Sequence, residues 1–388
     1  MVLQSSTTQA APAMVALVSF ANMFSVGTVY ALSALQAELP RLLYISHPLS
    51  SAPFASACLG LSVGVATCAS LMASIGARAT VAAGTSLWGF AVVGTGIFLA
   101  QTNFAGLLAS LAAGGIGVGW TYLAVVVLVG QAFPPRSRLR SAIGPLGFSS
   151  GSAACFAMSS LFQFESLDAK HFGQLLQLGG AAFILVGLAT MALPNDVEQP
   201  KPNNTQKGQA KPTAMNFEDV LLFFNALPGM VVFSALCRTA SYHGQELAGR
   251  ALPYCMVALA LGGYMAPVLA AQPRITFLTL FYVRGVSLLA FSKSPGLLTA
   301  VTTLSLVLFG HGAGFGILPG LIKAKEPETA KFRARYGRTL VAWGAAGIVS
   351  VLITGTFVSP SGDGVSASFV AGLIALSFAV YLQSVNVL

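Results

Sequence analysis

Apolar runs of about 20 residues, separated by short polar gaps, follow one another along the whole of this 388-residue chain. A helix needs about 20 mostly apolar residues to cross roughly 30 Å of hydrocarbon. The runs fall at about 14–36, 53–75, 79–100, 104–131, 141–163, 173–194, 220–241, 251–271, 275–292, 296–322, 339–358 and 365–386. They lack the polar face of a surface helix in a soluble domain, as expected where lipid accepts apolar side chains on every side. The pattern predicts an all-α integral membrane protein with 12 transmembrane helices. Its shortest gap, between the eighth and ninth runs, holds only Gln272, Pro273 and Arg274.

One gap stands apart. Residues 195–216, NDVEQPKPNNTQKGQAKPTAMN, are polar, proline-bearing and almost without large apolar side chains, and read as a flexible linker. The expected organisation is a tail over 1–13, a six-helix bundle over 14–194, the linker over 195–216 and a second six-helix bundle over 217–388. The halves echo each other. Span four carries GGIGVGWTY, then a basic loop, then GPLGFSSG in span five; span ten carries GHGAGFG, then a longer basic loop, then WGAAG in span eleven. Small residues let membrane helices approach closely, and repeated halves with a site between them are an architecture of secondary transporters.

Charge then orients the chain. Only 8% of residues are charged and 55% are hydrophobic, too little charge to cover a soluble protein of this length. Fourteen of the 20 lysines and arginines lie in alternate gaps: Arg78; Arg136, Arg138 and Arg140; Lys201, Lys207 and Lys211; Arg274; and Lys323, Lys325, Lys331, Arg333, Arg335 and Arg338. The spans themselves are expected to hold no aspartate or glutamate. By the positive-inside rule both termini are cytoplasmic, and the net charge of +9 is a topology signal. A nucleic-acid partner is not expected, because its basic residues would cluster on one folded face. A monomer in the plasma membrane is the expected state. The five cysteines (Cys58, Cys68, Cys155, Cys237 and Cys255) show no CxxC spacing and read as packing residues, with no metal site and no cofactor expected.

Few residues carry candidate chemistry. Arg284, in FYVRGVSLL, sits near the middle of span nine with no acidic residue in any span to pair with it, which leaves carbonyls, water or an anionic substrate. His311 is the one histidine well inside a span and a candidate for proton exchange near neutral pH. Ser19, Asn22, Ser25 and Ser33 form a polar stripe on span one and predict a wetted face. Two motifs carry no weight. Gly147-Phe148-Ser149-Ser150-Gly151 fits a nucleophile elbow but falls in a membrane span without a carboxylate, and GHGAGFG lacks the Lys-Ser/Thr of a phosphate loop. No pair of acid/base or metal-ligand residues shares a span, so an enzyme is not expected.

Three stretches carry a family likeness: GTVYALSAL (Gly27–Leu35), GGIGVGWTYLAVVVLVGQAFPPRSRLRSA from Gly114, and GFSSGSA (Gly147–Ala153), with a fainter one in YGRTLVAWGAAG (Tyr336–Gly347). In order and spacing the chain resembles the major facilitator superfamily, and more narrowly its oxalate/formate antiporter-like or monocarboxylate-transporter-like branch. The resemblance implies that spans one, four, five, seven and eleven line a central cavity. Tyr30, Trp120, Tyr122, Phe148 and Trp343 are then candidate substrate contacts, together with Arg284 and His311. Arg238, near the outer end of span seven, would be a cation at the external mouth. The sequence also departs from that branch. The loop SIGARA keeps Gly76 and Arg78 but has no acidic residue, and the cations that bind carboxylates in the oxalate branch are replaced by Gly262 and Trp343.

The resemblance and the repeat together imply a secondary active or facilitative transporter of a small organic solute, with a monocarboxylate-like anion as a candidate. The alternative is a non-transporting receptor or scaffold with a transporter fold. Cysteines placed at Lys201 and Lys331 are predicted to react with an impermeant maleimide only from the cytoplasmic side, and one at Asp363 only from outside. Labelling of Lys201 and Asp363 positions from the same side would overturn the six-plus-six topology.

Overall fold

A computed structural model of the chain describes residues 10–134, 137–161, 166–193, 215–243, 252–293, 296–357 and 365–385. Among the described residues there are thirteen α-helices and no strand. The first crossing is built from α1 (Ala10–Gly27), a 3-10 turn (Thr28–Ala31) and α2 (Leu32–Leu43). The rest of the first half is α3 (Ala52–Ile75), α4 (Ala77–Ala100), α5 (Phe104–Ala132), α6 (Arg138–Leu161) and α7 (Ala169–Ala189). The second half is α8 (Phe217–His243), α9 (Leu252–Leu269), α10 (Pro273–Phe291), α11 (Leu297–Lys325), α12 (Thr329–Phe357) and α13 (Val365–Ser384). Eleven crossings are long and apolar enough to span a membrane. The twelfth, α6, carries Arg138 and Arg140 in its first turn and several serines, and takes its place by packing on α1 and, across the halves, on α9.

Glycine sets how closely these helices meet. A side chain at Gly60 would strike the backbone of Ala112, one at Gly115 that of Ala57, one at Gly173 that of Gly96, and one at Gly312 that of Leu259. The first two lock α3 to α5, the third α7 to α4, and the last α11 to α9. Such seams supply the van der Waals contact on which association in lipid depends. Gly262 belongs to one of them, because a side chain there would strike the backbone of Phe309 on α11. The position matched to a cation of the oxalate branch therefore has no room for a side chain of any charge. Between the halves, α6 packs on α9 and α3 on α12.

Several helices begin before the ends that the sequence predicts, although α9 (Leu252–Leu269) is shorter than its run and α13 ends at Ser384. The basic loop between spans ten and eleven shrinks to Glu326–Glu328, because α12 begins at Thr329 and carries Lys331, Arg333, Arg335 and Arg338 as a helical extension. Likewise α8 begins at Phe217, so Glu218 and Asp219 stand in its first turn, buried, and Glu38 lies within α2. The apolar spans continue as helix into polar sequence, and the acid-free reading holds for the runs and not for the helices. The polar stripe of span one is also corrected. Ser19, Asn22, Ser25 and Ser33 are all buried. The Asn22 amide donates to Val18 O at 2.7 Å and to Thr190 Oγ1 at 2.8 Å, and Trp88 Nε1 donates to Ser25 O at 2.9 Å. The stripe faces α4 and the end of α7, because a polar side chain in lipid is satisfied as well by a neighbouring helix as by water. Elsewhere Asp168 caps α7 by accepting the His171 N–H at 2.8 Å, a bond that holds its carboxyl below the usual carboxylate range. Most of the expected linker, the tail through residue 9, Arg136, Cys237's side chain and Asp363 lie outside the described residues.

Glu218 is the anchor of the basic end. Its carboxylate accepts from Lys325 Nζ of α11 and Arg335 Nη2 of α12, each at 2.6 Å, while Asp219 Oδ1 accepts from Thr339 Oγ1 of α12 at 2.6 Å. Three helices are tied at one level. Glu218→Gln is expected to destabilise the folded protein by about 1.5–3 kcal/mol, the range for hydrogen bonds to charged groups. A melting temperature in detergent equal to that of the unaltered protein would rule out this tie.

Candidate functional site

The motif GTVYALSAL lies at the break between α1 and α2. Gly27 has no room for a side chain against the backbone of Phe148, and Ser152 Oγ donates to Gly27 O at 2.6 Å. This contact clamps α1 to α6 immediately before the 3-10 turn, and the turn places Tyr30 beside Phe148, ring centroids 4.9 Å apart. Across the interface Tyr30 stacks on Phe233 of α8 at 4.0 Å and 22°. Trp343 Nε1 of α12 donates to the Tyr30 hydroxyl at 3.1 Å, and that hydroxyl lies 3.0 Å from His311 Nε2 of α11. An indole can only donate, so the phenol oxygen accepts there and its own proton is available to the imidazole.

Five candidates thus meet in one cluster: Tyr30, Tyr122, Phe148, His311 and Trp343. Tyr122 and Trp343 have centroids 5.0 Å apart, Phe148 and Trp343 5.6 Å, and Phe315 and Trp343 5.2 Å. The cluster is paired across the halves. Tyr30 faces Phe233 (the first and seventh crossings), Tyr122 faces Phe315 (fourth and tenth), and Phe148 faces Trp343 (fifth and eleventh). Each such aromatic pair contributes about 0.5–1.5 kcal/mol beyond the area it buries.

A cavity of about 1300 Å³ opens below the cluster toward the basic end of the molecule. Tyr122 and Phe315 stand at its inner end, Val125–Val129 and Ala266–Ala270 supply wall positions, and Arg138, Arg140 and Lys323 line its mouth. No carboxylate is among the described lining residues. Arg138 lies over the Tyr264 ring at 5.7 Å, a cation–π contact between α6 and α9.

Arg284 is wholly buried but does not line the cavity. Its Nη1 donates to Asn225 Oδ1 at 3.1 Å and its Nη2 to Asn225 O at 2.7 Å, so the carbonyl partners expected from sequence are found on α8. Insertion scales put a charge at a helix centre at roughly 2.5–3.5 kcal/mol, which these bonds offset. Trp120 stands away from the cluster: it is half-exposed on α5 and donates to Thr67 Oγ1 of α3 at 2.9 Å. Its helical phase differs from that of Tyr122, two residues on, by about 200° at 3.6 residues per turn. Arg238 is on α8, with its side chain outside the described residues. The sequence reading missed Phe233, Phe315 and Asn225. Phe315 could have been found one helical turn after His311 in GHGAGFG, and Asn225 as the single amide in the apolar run LLFFNALPG.

No protein-family model and no curated relative matches the sequence. Solved structures do match. The chain is similar to the xylose transporter XylE from E. coli in its inward-open form, with TM-score 0.73, 13% identity, and coverage of 97% of this chain and 96% of that one. The partially occluded inward-open form of the same transporter gives 0.69 at 13% identity, covering 98% of each chain. The E. coli fucose:proton symporter FucP gives 0.65 at 14% identity, covering 95% and 98%. The nucleoside transporter NupG gives 0.62 at 15%, covering 96% and 99%. The chain has the major facilitator fold: a multi-pass membrane protein of two six-helix pseudo-repeats.

The Tyr30 hydroxyl is the polar link between the halves in this cluster. Tyr30→Phe keeps the stack on Phe233 and strands the Trp343 and His311 nitrogens among aromatic rings, at about 1–3 kcal/mol for a buried unsatisfied group. A lowered melting temperature is expected. Adding Trp343→Phe should then cost less than the two single changes summed, because the partners are coupled. Full additivity would show that the two side chains do not act through one bond.

Proposed function

We propose that the chain is a secondary transporter that carries a small organic solute across the membrane by alternating access, in the manner of the oxalate/formate- or monocarboxylate-transporting branch it resembles. One observation carries this reading: a cavity between the two halves that opens at the basic end and is closed at its inner end by aromatic pairs, one ring from each half. Two rigid bodies meeting through side chains can rock about that contact and expose the cavity to either side. The higher similarity to the inward-open form of the xylose transporter supports a state open on one side.

The substrate reading follows from the lining. Arg138, Arg140 and Lys323 at the mouth, with no acidic neighbour in the lining, favour entry of an anion, while Tyr122, Phe315 and the valines of α5 suit an apolar or flat body. A monocarboxylate combines the two. By the positive-inside rule the basic mouth is proposed to be cytoplasmic, with both termini on that side and the linker over 195–216 joining the bundles there; the plasma membrane is the proposed host. The working unit is proposed to be the monomer, because the cavity is complete within one chain.

The test is a thermal-shift screen of purified protein against monocarboxylates, dicarboxylates, amino acids and sugars, followed by uptake of the best ligand into proteoliposomes. A ligand that binds the folded state raises its apparent stability by mass action. The expected hit is a monocarboxylate. Oxalate should give little transport, because Trp343 offers one donor and no charge where a cation would be needed. Trp343→Ala should change ligand preference more than protein yield. Robust oxalate exchange would overturn the reading of Trp343 and of the substrate class, and a ligand that binds tightly and never crosses would overturn the transport reading.

A further inference from the structure

We infer that Arg284 is a positioning residue, a clamp that holds the proline-weakened turn of α8 and thereby keeps the cavity closed on the side away from its basic mouth. The inference rests on the alternating-access reading above. Arg284 reaches from α10 past α11 to α8, and Gly310 is what lets it pass, because a side chain there would strike the arginine's aliphatic stem. Two of its nitrogens donate to one residue, Asn225, one to the side-chain oxygen and one to the backbone carbonyl. Three residues further along α8 stands Pro228. Proline has no N–H and its ring pushes against the preceding turn, so Phe224 O loses its helical partner and α8, although continuous as helix, is weakened beside Asn225. The guanidinium puts two donors at this weak point. Asn225 also extends its amide to His311 O at 3.4 Å, so α8, α10 and α11 are tied at one level.

What lies beyond this turn gives the clamp its purpose. Phe233, two turns past Asn225, stacks on Tyr30 from the other half. The first half has a matching device. Trp88 of α4 donates to Ser25 O at 2.9 Å and Thr28 Oγ1 at 3.0 Å, on the segment that ends at Tyr30. In the repeat, α4 corresponds to α10 and the first crossing to α8, and Asn22 stands eight residues before Tyr30 as Asn225 stands eight before Phe233. Each half therefore pins the helix bearing its central aromatic from its third helix, once by an indole and once by a guanidinium. Charge matters less here than the number of donors, which accounts for a buried arginine held by the neutral Asn225.

The test reads sidedness. Gln36 on α2 is buried beyond Tyr30, with an amide that has no hydrogen-bond partner among the described residues; Ala270 lines the cavity. Gln36→Cys and Ala270→Cys are introduced singly into the full chain in proteoliposomes and labelled with an impermeant maleimide, with site assignment by peptide mass spectrometry. Arg284→Gln is expected to raise the Gln36→Cys rate by about fivefold or more, the lower end for coupling between two states, and to lower the Ala270→Cys rate. Arg284→Lys, with fewer donors in reach, should fall between, and Trp88→Phe should act in the same direction. If Arg284→Gln does not fold, Gly310→Ala, which keeps the charge and displaces the stem, is judged by the same two rates. Lowered stability with both rates unchanged would make Arg284 merely structural and overturn the proposal. Failure of the transport reading is separate: it shows as an unaltered chain whose Gln36→Cys never labels, against which a rise in the variant still supports the clamp.

Discussion

Backbone contact at glycine seams is the constraint on which the rest of this structure depends. In lipid, apolar surface gains nothing by leaving its surroundings, so helices associate only where they fit closely or exchange hydrogen bonds. Gly60 and Gly115, Gly96 and Gly173, and Gly262 and Gly312 meet neighbouring backbone so tightly that no side chain fits. These seams lie inside each half and make each half a unit. The two halves touch partly by the same means, since Gly344 and Gly347 of α12 lie against Ser62 and Cys58 of α3. At the centre, however, they meet through rings, and rings can slide and part without breaking a backbone seam.

The repeat is clearer in the structure than in the letters. Gly117 and Gly119 precede Tyr122 by five and three residues, and Gly310 and Gly312 precede Phe315 by the same intervals. In both halves the first glycine meets the third helix, through Gly84 O on α4 or the Arg284 stem on α10, and the second meets the second helix, α3 or α9. Asymmetry enters at particular positions. Where α11 has His311, α5 has Val118, so only the second half offers Tyr30 a polar ring. The central hydrogen bonds therefore run from one tyrosine of the first half to two side chains of the second. This gives a cross-half contact with direction, set into an otherwise paired arrangement.

Much of the fold was legible because crossing a bilayer imposes a length and a composition, and even the eighth and ninth runs are separate helices, although the break falls at Ala270–Gln272 and Pro273 and Arg274 belong to α10. Part of the candidate site was legible for a related reason: aromatic and histidine side chains in glycine-rich spans are scarce enough to single out, and five of them do meet. What a sequence does not carry is the identity of the neighbour. Ser19, Asn22 and Ser25 share a helical face, but nothing in their spacing says whether that face meets water or α4. Trp120 and Tyr122 look alike as letters, and two residues of helical phase send one to α3 and the other to the cavity. Helix ends were misjudged because hydropathy marks where lipid ends and not where the helix does. Glu218 is invisible to an apolar window, yet it is held by cations from two other helices at the membrane edge.

The distribution of charge bears on what the cavity can take. Arg138, Arg140 and Lys323 stand at its mouth, and its inner end is formed by Tyr122 and Phe315. An anion drawn in by the mouth would lose its counter-charges if it moved wholly among the rings, and a buried unpaired charge is costly. Arg284 does not offset that cost, because its two nitrogens are committed to Asn225 behind α11. A dicarboxylate would strand at least one of its charges near the rings, whereas a solute with one carboxylate can leave it toward the cations and turn its apolar body inward. Neutral solutes escape the conflict but make no use of the basic mouth. On the transport reading proposed above, a monocarboxylate would find both ends of the cavity favourable at once, and this asymmetry of ends, more than any single residue, is what supports that proposal.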